Sequence, residues 1–194
     1  MKNYLKKVYL RLQKSEFINH FKILASGTIF SQIIVISSSP IIARIYTPES
    51  FGLFANFVAI MSIIYPISSF GFDRAIVIEK NSIGAKQIII LSFLINLLLF
   101  FVLSSFIVIF NNQIVSLLNI KEINFWLFLL PLAIAMRGLI LISNAVLNRF
   151  KNYKILSKTF YLRSIINASI IILLGYYSQS IYGLFLGELL SSLL

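Results

Sequence analysis

Cysteine is absent from the 194-residue chain, which excludes disulfide staples and thiolate metal sites. Acids are scarce: Glu16, Glu49, Asp73, Glu79, Glu122 and Glu188 are scattered, and no two sit at the spacing of a metal site or an acid/base dyad on one helix face. A single histidine, His20, lies in the N-terminal tail, and no glycine-rich phosphate loop occurs. An enzyme would lack its reactive constellation, so neither catalysis nor a cofactor or metal ion is expected. Charge is thin as well. At 12% charged and 59% hydrophobic, with a mean hydropathy of +0.92, the chain cannot clothe a water-soluble domain.

What is present is length of apolar run. A bilayer core about 30 Å thick needs roughly 20 apolar residues per helix, and several stretches reach that without a break. No alternating pattern of barrel strands is visible. The expected fold is therefore all-α, a six-helix transmembrane bundle behind a basic amphipathic tail at residues 1–20. The spans read as 21–43, 53–70, 88–110, 123–147, 160–177 and 181–194. The first run lacks a small-x-small cleavage site and should stay as an anchor. The sixth is still apolar where the chain ends at Leu194, so it reads as a truncated helix.

The formal charge of +11 would suggest nucleic acid in a soluble protein, but its placement explains it otherwise. Of the 17 basic residues, all but Arg44, Lys121 and Arg137 lie in the tail or in the second and fourth loops, the fourth loop including Arg149 and Arg163. The positive-inside rule then puts the tail and the even loops in the cytoplasm. In the tail, Leu5, Val8, Tyr9 and Leu12 share one helical face with bases around the rest, a pattern suited to anionic lipid at the inner leaflet. No nucleic-acid partner is expected.

Polar residues inside the spans are the candidate site. Arg137 follows Phe125 by twelve residues, about 18 Å along a helix, which places it close to midplane. Asn144 and Asn148 fall within about 20° of it on a helical wheel. Span one aligns Gly27, Ser31 and Ser38, with Thr28, Gln32 and Ser39 on the adjacent line and a kink expected at Pro40. Span two carries Ser62, Tyr65, Ser69 and Asp73 on one face, interrupted by Pro66; span three has Asn96 alone; span six has Glu188 with Ser191 and Ser192. Two tasks suit Arg137: an ion pair with Glu188 or Asp73 that locks the bundle, or a place on a wet cavity that binds an anion. Intramembrane charges default to function, which favours the second. Substrate binding is assigned to Arg137, Asn144 and Gln32. Asp73 and Glu188 are candidates for ion coupling, although for Asp73 a local pair with Arg74 is the simpler reading.

Three segments carry a resemblance. PIIARIYTPESFGLFANFVAI, Pro40 to Ile60, contains a strong helix start, with Thr47 as cap, Pro48 first and Glu49 in the first turn. GFDRAIV, Gly71 to Val77, and AVLNRFKNYKILSKTFYLRS, Ala145 to Ser164, follow in order. Together they resemble the polysaccharide flippases, the O-antigen and capsule translocases of the multidrug/oligosaccharidyl-lipid/polysaccharide exporter superfamily. Asn148, Arg149, Arg163 and Ser164 match the pattern as topology and packing determinants. The resemblance implies two pseudo-symmetric lobes in the bacterial cytoplasmic (inner) membrane, alternating access, and a polyprenyl-diphosphate-linked oligosaccharide as substrate. It also implies a glycan polymerase and glycosyltransferases as neighbours, and Arg137 as the cation meeting the diphosphate. Such flippases have about twice this length and about twelve spans, so the chain is expected to be an N-terminal half that does not flip substrate alone.

Two other readings compete. A membrane scaffold of a glycan-assembly complex would use its helix faces without transport. A multidrug exporter of the same superfamily would favour an acid in span one, where none occurs. The topology has a direct check, since single cysteines can be added to a chain that has none. In intact cells, cysteines at positions 7, 80 and 154 should resist an impermeant maleimide and those at 44 and 121 should react; labelling at 80 from outside would invert the orientation.

Overall fold

The computed structural model describes residues 2–118, 124–178 and 181–192, with side chains described at 16–116, 124–177 and 181–192. In chain order it has α1 (Lys2–Ile45), α2 (Pro48–Ile64), a 3₁₀ turn (Tyr65–Ser69), α3 (Phe72–Ile78), α4 (Ser82–Leu118), α5 (Asn124–Leu127), α6 (Leu130–Arg149), α7 (Tyr153–Ser178) and α8 (Tyr182–Ser191). No strand occurs among the described residues. Five stretches are long and apolar enough to cross a membrane: Glu16–Ile45, Pro48–Ser69, Ser82–Ser116, Asn124–Arg149 and Tyr153–Tyr177. The protein is an all-α, multi-pass membrane protein.

The described part of the sixth expected span is only α8, ten residues long and too short to be counted with the five. Leu193 and Leu194, the start of span four at Ile123, Lys121 of the third loop, and the side chains of the tail's amphipathic face lie outside the described residues. In the backbone, α1 runs unbroken through residue 20 and past Pro40. Span five also starts earlier than expected, at Tyr153 rather than Phe160. From Tyr153 to Leu174 there is no glycine or proline to stop a helix, so the basic residues of the fourth loop join it.

Helix ends follow local chemistry. Thr47 is extended, and its Oγ1 accepts the amide of Ser50 at 3.3 Å while Pro48 takes the first helical position. Pro66 removes a backbone donor, so α2 tightens into the 3₁₀ turn, and Phe70 and Gly71 then take left-handed φ values of 47° and 77°. Gly71 meets that geometry without a Cβ clash, which lets the chain turn into α3.

In lipid, apolar burial gives little drive for helix association, so close packing and polar contacts must do it. α1 lies parallel to α7, as the pairs Ser31–Ser164 (Oγ to Oγ 2.6 Å) and Tyr46–Ile171 show. The Tyr46 hydroxyl, at the corner between α1 and α2, donates to the Ile171 carbonyl at 2.7 Å, and burial pushes its pKa up. α8 runs antiparallel to α7 and is buried on nearly every side. Phe185, fully buried on it, stacks on Trp126 of α5 at 3.8 Å between centroids and meets Phe54 and Phe57 of α2 edge-on.

On the far side of α6, Gly138 faces Asn96 of α4 and Ser68 of the 3₁₀ turn, both buried. Asn96 Nδ2 donates to the Ala135 carbonyl at 3.0 Å, so a polar cluster rather than a lone asparagine holds α4 to α6. A Cβ at 138 would run into Asn96 Oδ1 and Ser68 Oγ, whereas one at Gly52 meets nothing within 4 Å. Gly138→Ala should therefore cost about 1 to 3 kcal/mol by overpacking. Gly52→Ala should be neutral or stabilising by up to about 1 kcal/mol. Thermal unfolding in detergent compares the two, and equal melting of both variants would contradict this packing.

Candidate functional site

Three ionic side chains from three helices meet near the middle of the bundle. Arg137 on α6 lies between the ends of the apolar stretch Asn124–Arg149, twelve residues from Arg149. Its Nη2 donates to Oε1 of Glu188 on α8. Arg163 on α7 brings its own Nη2 to 3.7 Å from the same oxygen. The side chains are 29%, 11% and 20% exposed for Arg137, Glu188 and Arg163, so the cluster is mostly withdrawn from solvent. Two guanidinium groups share one carboxylate, which leaves one positive charge uncompensated within it. Arg137 Nε and Arg163 Nη2 are also buried without a hydrogen-bond partner. Donors in a low-dielectric setting without an acceptor are costly, and an anion or water is what would satisfy them.

Beside the cluster, a cavity of about 350 Å³ opens between α6 and α7, with Ser192 at its edge. Its polar lining is Ser143, Asn144, Thr159, Arg163 and Ser192, and its apolar lining includes Leu139 and Phe160. Arg137 is not on its wall; it is turned toward Glu188. Arg163 both lines the cavity and approaches the carboxylate.

The residues proposed from sequence thus separate. Asn144 lines the cavity, while Arg137 and Glu188 pair at its back. Gln32 is exposed on α1, outside this grouping, because the face of α1 turned to α7 is the neighbouring one carrying Ser31. Asp73 is not paired with Arg74 or Arg137 among the described residues; it accepts the Ser69 hydroxyl at 2.7 Å at the start of α3. Arg163, counted with the basic residues of the fourth loop although at the start of the expected span 160–177, lies ten residues into α7 because that helix starts early. The unbroken run without glycine or proline after Asn152 was the signal for that. Arg149, read as a topology determinant, also donates to the carbonyls of Ile76, Glu79 and Asn81, with Nη1 2.9 Å from that of Ile76. It ties the end of α6 to the corner between α3 and α4, where its charge suits a helix C-terminus. Among the described residues no group of three or more histidines or acids could hold a metal ion.

Membrane-length helices around a buried ionic cluster define a multi-pass helical membrane protein. The chain belongs to the polysaccharide biosynthesis protein family, whose model matches residues 41–194. A role in polysaccharide biosynthesis goes with that membership, as the resemblance of the three segments implied. No curated protein and no solved structure matches the chain.

The shared carboxylate makes the cluster asymmetric to mutation. Removing Glu188 leaves two guanidinium groups facing each other, whereas removing Arg137 leaves Glu188 the second arginine. Glu188→Leu should cost about 3 to 5 kcal/mol, the range for an uncompensated buried charge, and Arg137→Leu clearly less. Melting temperatures in one detergent test the order, and the reverse order would refute the sharing.

Proposed function

We propose that the protein serves the translocation of a polyprenyl-diphosphate-linked oligosaccharide across the bacterial cytoplasmic membrane during surface-polysaccharide biosynthesis. It works there as a transporter component rather than an enzyme. The observation that carries this reading is Arg163, a cation inside an apolar bundle whose Nη2 lacks a hydrogen-bond partner and whose side chain lines a largely apolar cavity that also presents Ser143, Asn144, Thr159 and Ser192. A diphosphate diester carries two negative charges and many acceptor oxygens, and a guanidinium can fork two hydrogen bonds to them. Asn144, Ser143 and Thr159 are neutral polar groups beside it, fit for sugar hydroxyls, while the polyprenyl tail stays in lipid. The proposed orientation keeps the N-terminus and the basic loops in the cytoplasm, next to the glycosyltransferases that make the substrate, with a polymerase that uses the translocated product as a further partner.

One observation favours the scaffold reading: Arg137, the first candidate for substrate, is engaged with Glu188 and holds α6 to α8. Both readings face the same test. The full chain in nanodiscs is titrated with a short-chain isoprenyl diphosphate sugar, alongside the neutral isoprenyl alcohol. Binding of the diphosphate and not the alcohol is expected, with Arg163→Gln weakening it about tenfold or more, the worth of a hydrogen bond to a charged group. The same substitution should lower surface polysaccharide in producing cells at unchanged membrane abundance. No binding, with polysaccharide lost only when the protein itself is lost, would favour the scaffold.

A further inference from the structure

Glu188 is the one group in the cluster whose role the proposed function leaves open. It is buried, on a ten-residue helix that is itself enclosed, and it faces two cations when one would neutralise it. Resting on the transport reading above, we infer that Glu188 is a stand-in anion. It occupies the arginines when the cavity is empty, yields Arg163 when a diphosphate binds, and takes up one proton as it does so.

The argument is a charge count in a place that penalises net charge. Arg137, Arg163 and Glu188 together carry +1. A diphosphate diester brings −2, so the filled site would stand at −1 with Glu188 ionised and at zero with it protonated. In a low-dielectric interior a neutral assembly is strongly preferred to a charged one. The geometry suits an exchange. Glu188 Oε1 bonds Arg137 directly but stands 3.7 Å from Arg163, too far for a hydrogen bond, so the bond to give up is the weaker of the two. Arg163 is also the arginine on the cavity wall, while Arg137 stays behind with the carboxyl oxygen as its acceptor.

Among the described residues, no other group facing Glu188 can carry that proton near neutrality. α6 presents Arg137, and α7 presents Arg163 together with Asn167, whose Nδ2 donates to Ser191 Oγ at 3.1 Å. At the junction of α2 and the 3₁₀ turn, Tyr65 is within electrostatic reach of Arg163. On α8 itself, the Ser191 and Ser192 hydroxyls donate to the Glu188 carbonyl. Arginine and tyrosine ordinarily titrate far above neutral pH and the rest do not titrate. His20 packs on Tyr153, ten residues along α7 from Arg163, and does not face the carboxylate.

The sign follows from linkage. The empty site favours ionised Glu188 and the filled site favours the protonated form, so binding draws a proton from solution and tightens as pH falls. The probe is again the short-chain isoprenyl diphosphate sugar, whose two charges stay fixed from about pH 5 to pH 8, titrated into the full chain in nanodiscs. For the unaltered protein we expect Kd about tenfold lower at pH 6 than at pH 8. Glu188→Gln keeps the shape and an acceptor for Arg137 but removes the charge, so it should bind about tenfold tighter at pH 8 and lose the pH dependence. Arg163→Gln serves as the reference for the site. A flat pH response of the unaltered protein overturns the inference, even if Glu188→Gln does not fold. Binding by Glu188→Gln that is unchanged or weaker at pH 8, while Arg163→Gln loses it, overturns the stand-in role and leaves the transport reading intact. Absence of binding by every form overturns both.

Discussion

An arginine at the middle of an apolar helix is tolerated only with a partner, and here two arginines depend on one carboxylate. That dependence organises the centre of the bundle. Arg137 comes from α6, Arg163 from α7 and Glu188 from α8, so none of the three helices can shift along its axis without exposing an unpaired charge to low dielectric. The arrangement fixes register more than it adds stability, because desolvation of the ions offsets much of their attraction.

The helix that supplies the carboxylate is held by a different kind of contact. Glycines 183 and 187 let α8 approach α7 and Tyr46 closely, and Phe185 fills the space between α2 and α5 with its ring flat on Trp126. Close packing on one side and aromatic contact on the other bring Glu188 to the arginines. The cavity arises at the same junction, lined by residues of α6 and α7 together with Ser192. Packing and chemistry are therefore not separable here: the small residues that bring α8 in also set where the charge cluster sits.

Much of the architecture was legible in the residues because lipid imposes simple demands. Apolar runs of bilayer length must be helical, and Thr47, Pro48 and Glu49 mark a helix start by chemistry that acts within one turn. Pro66 marked a break in span two for the same local reason. Polar residues in the spans could be recognised as candidates, since each is expensive where it stands. Which of them meet was not legible. Asp73 and Glu188 are both candidate partners of Arg137 in the sequence, and Gln32 and Ser31 are neighbours in it, yet of the last two one is exposed and the other is bonded to Ser164.

Sequence alone determined that this protein is a helical bundle for a membrane, and its three recognisable segments placed it in its family, because hydropathy, capping and charge distribution are properties of residues and their near neighbours. The tertiary structure decided that Arg163 lies ten residues into its helix and faces a cavity, and that Glu188 answers two arginines at once. Those facts depend on how far α7 extends and how closely α8 packs against it. Contacts between residues far apart in the chain set both, and no local pattern encodes them.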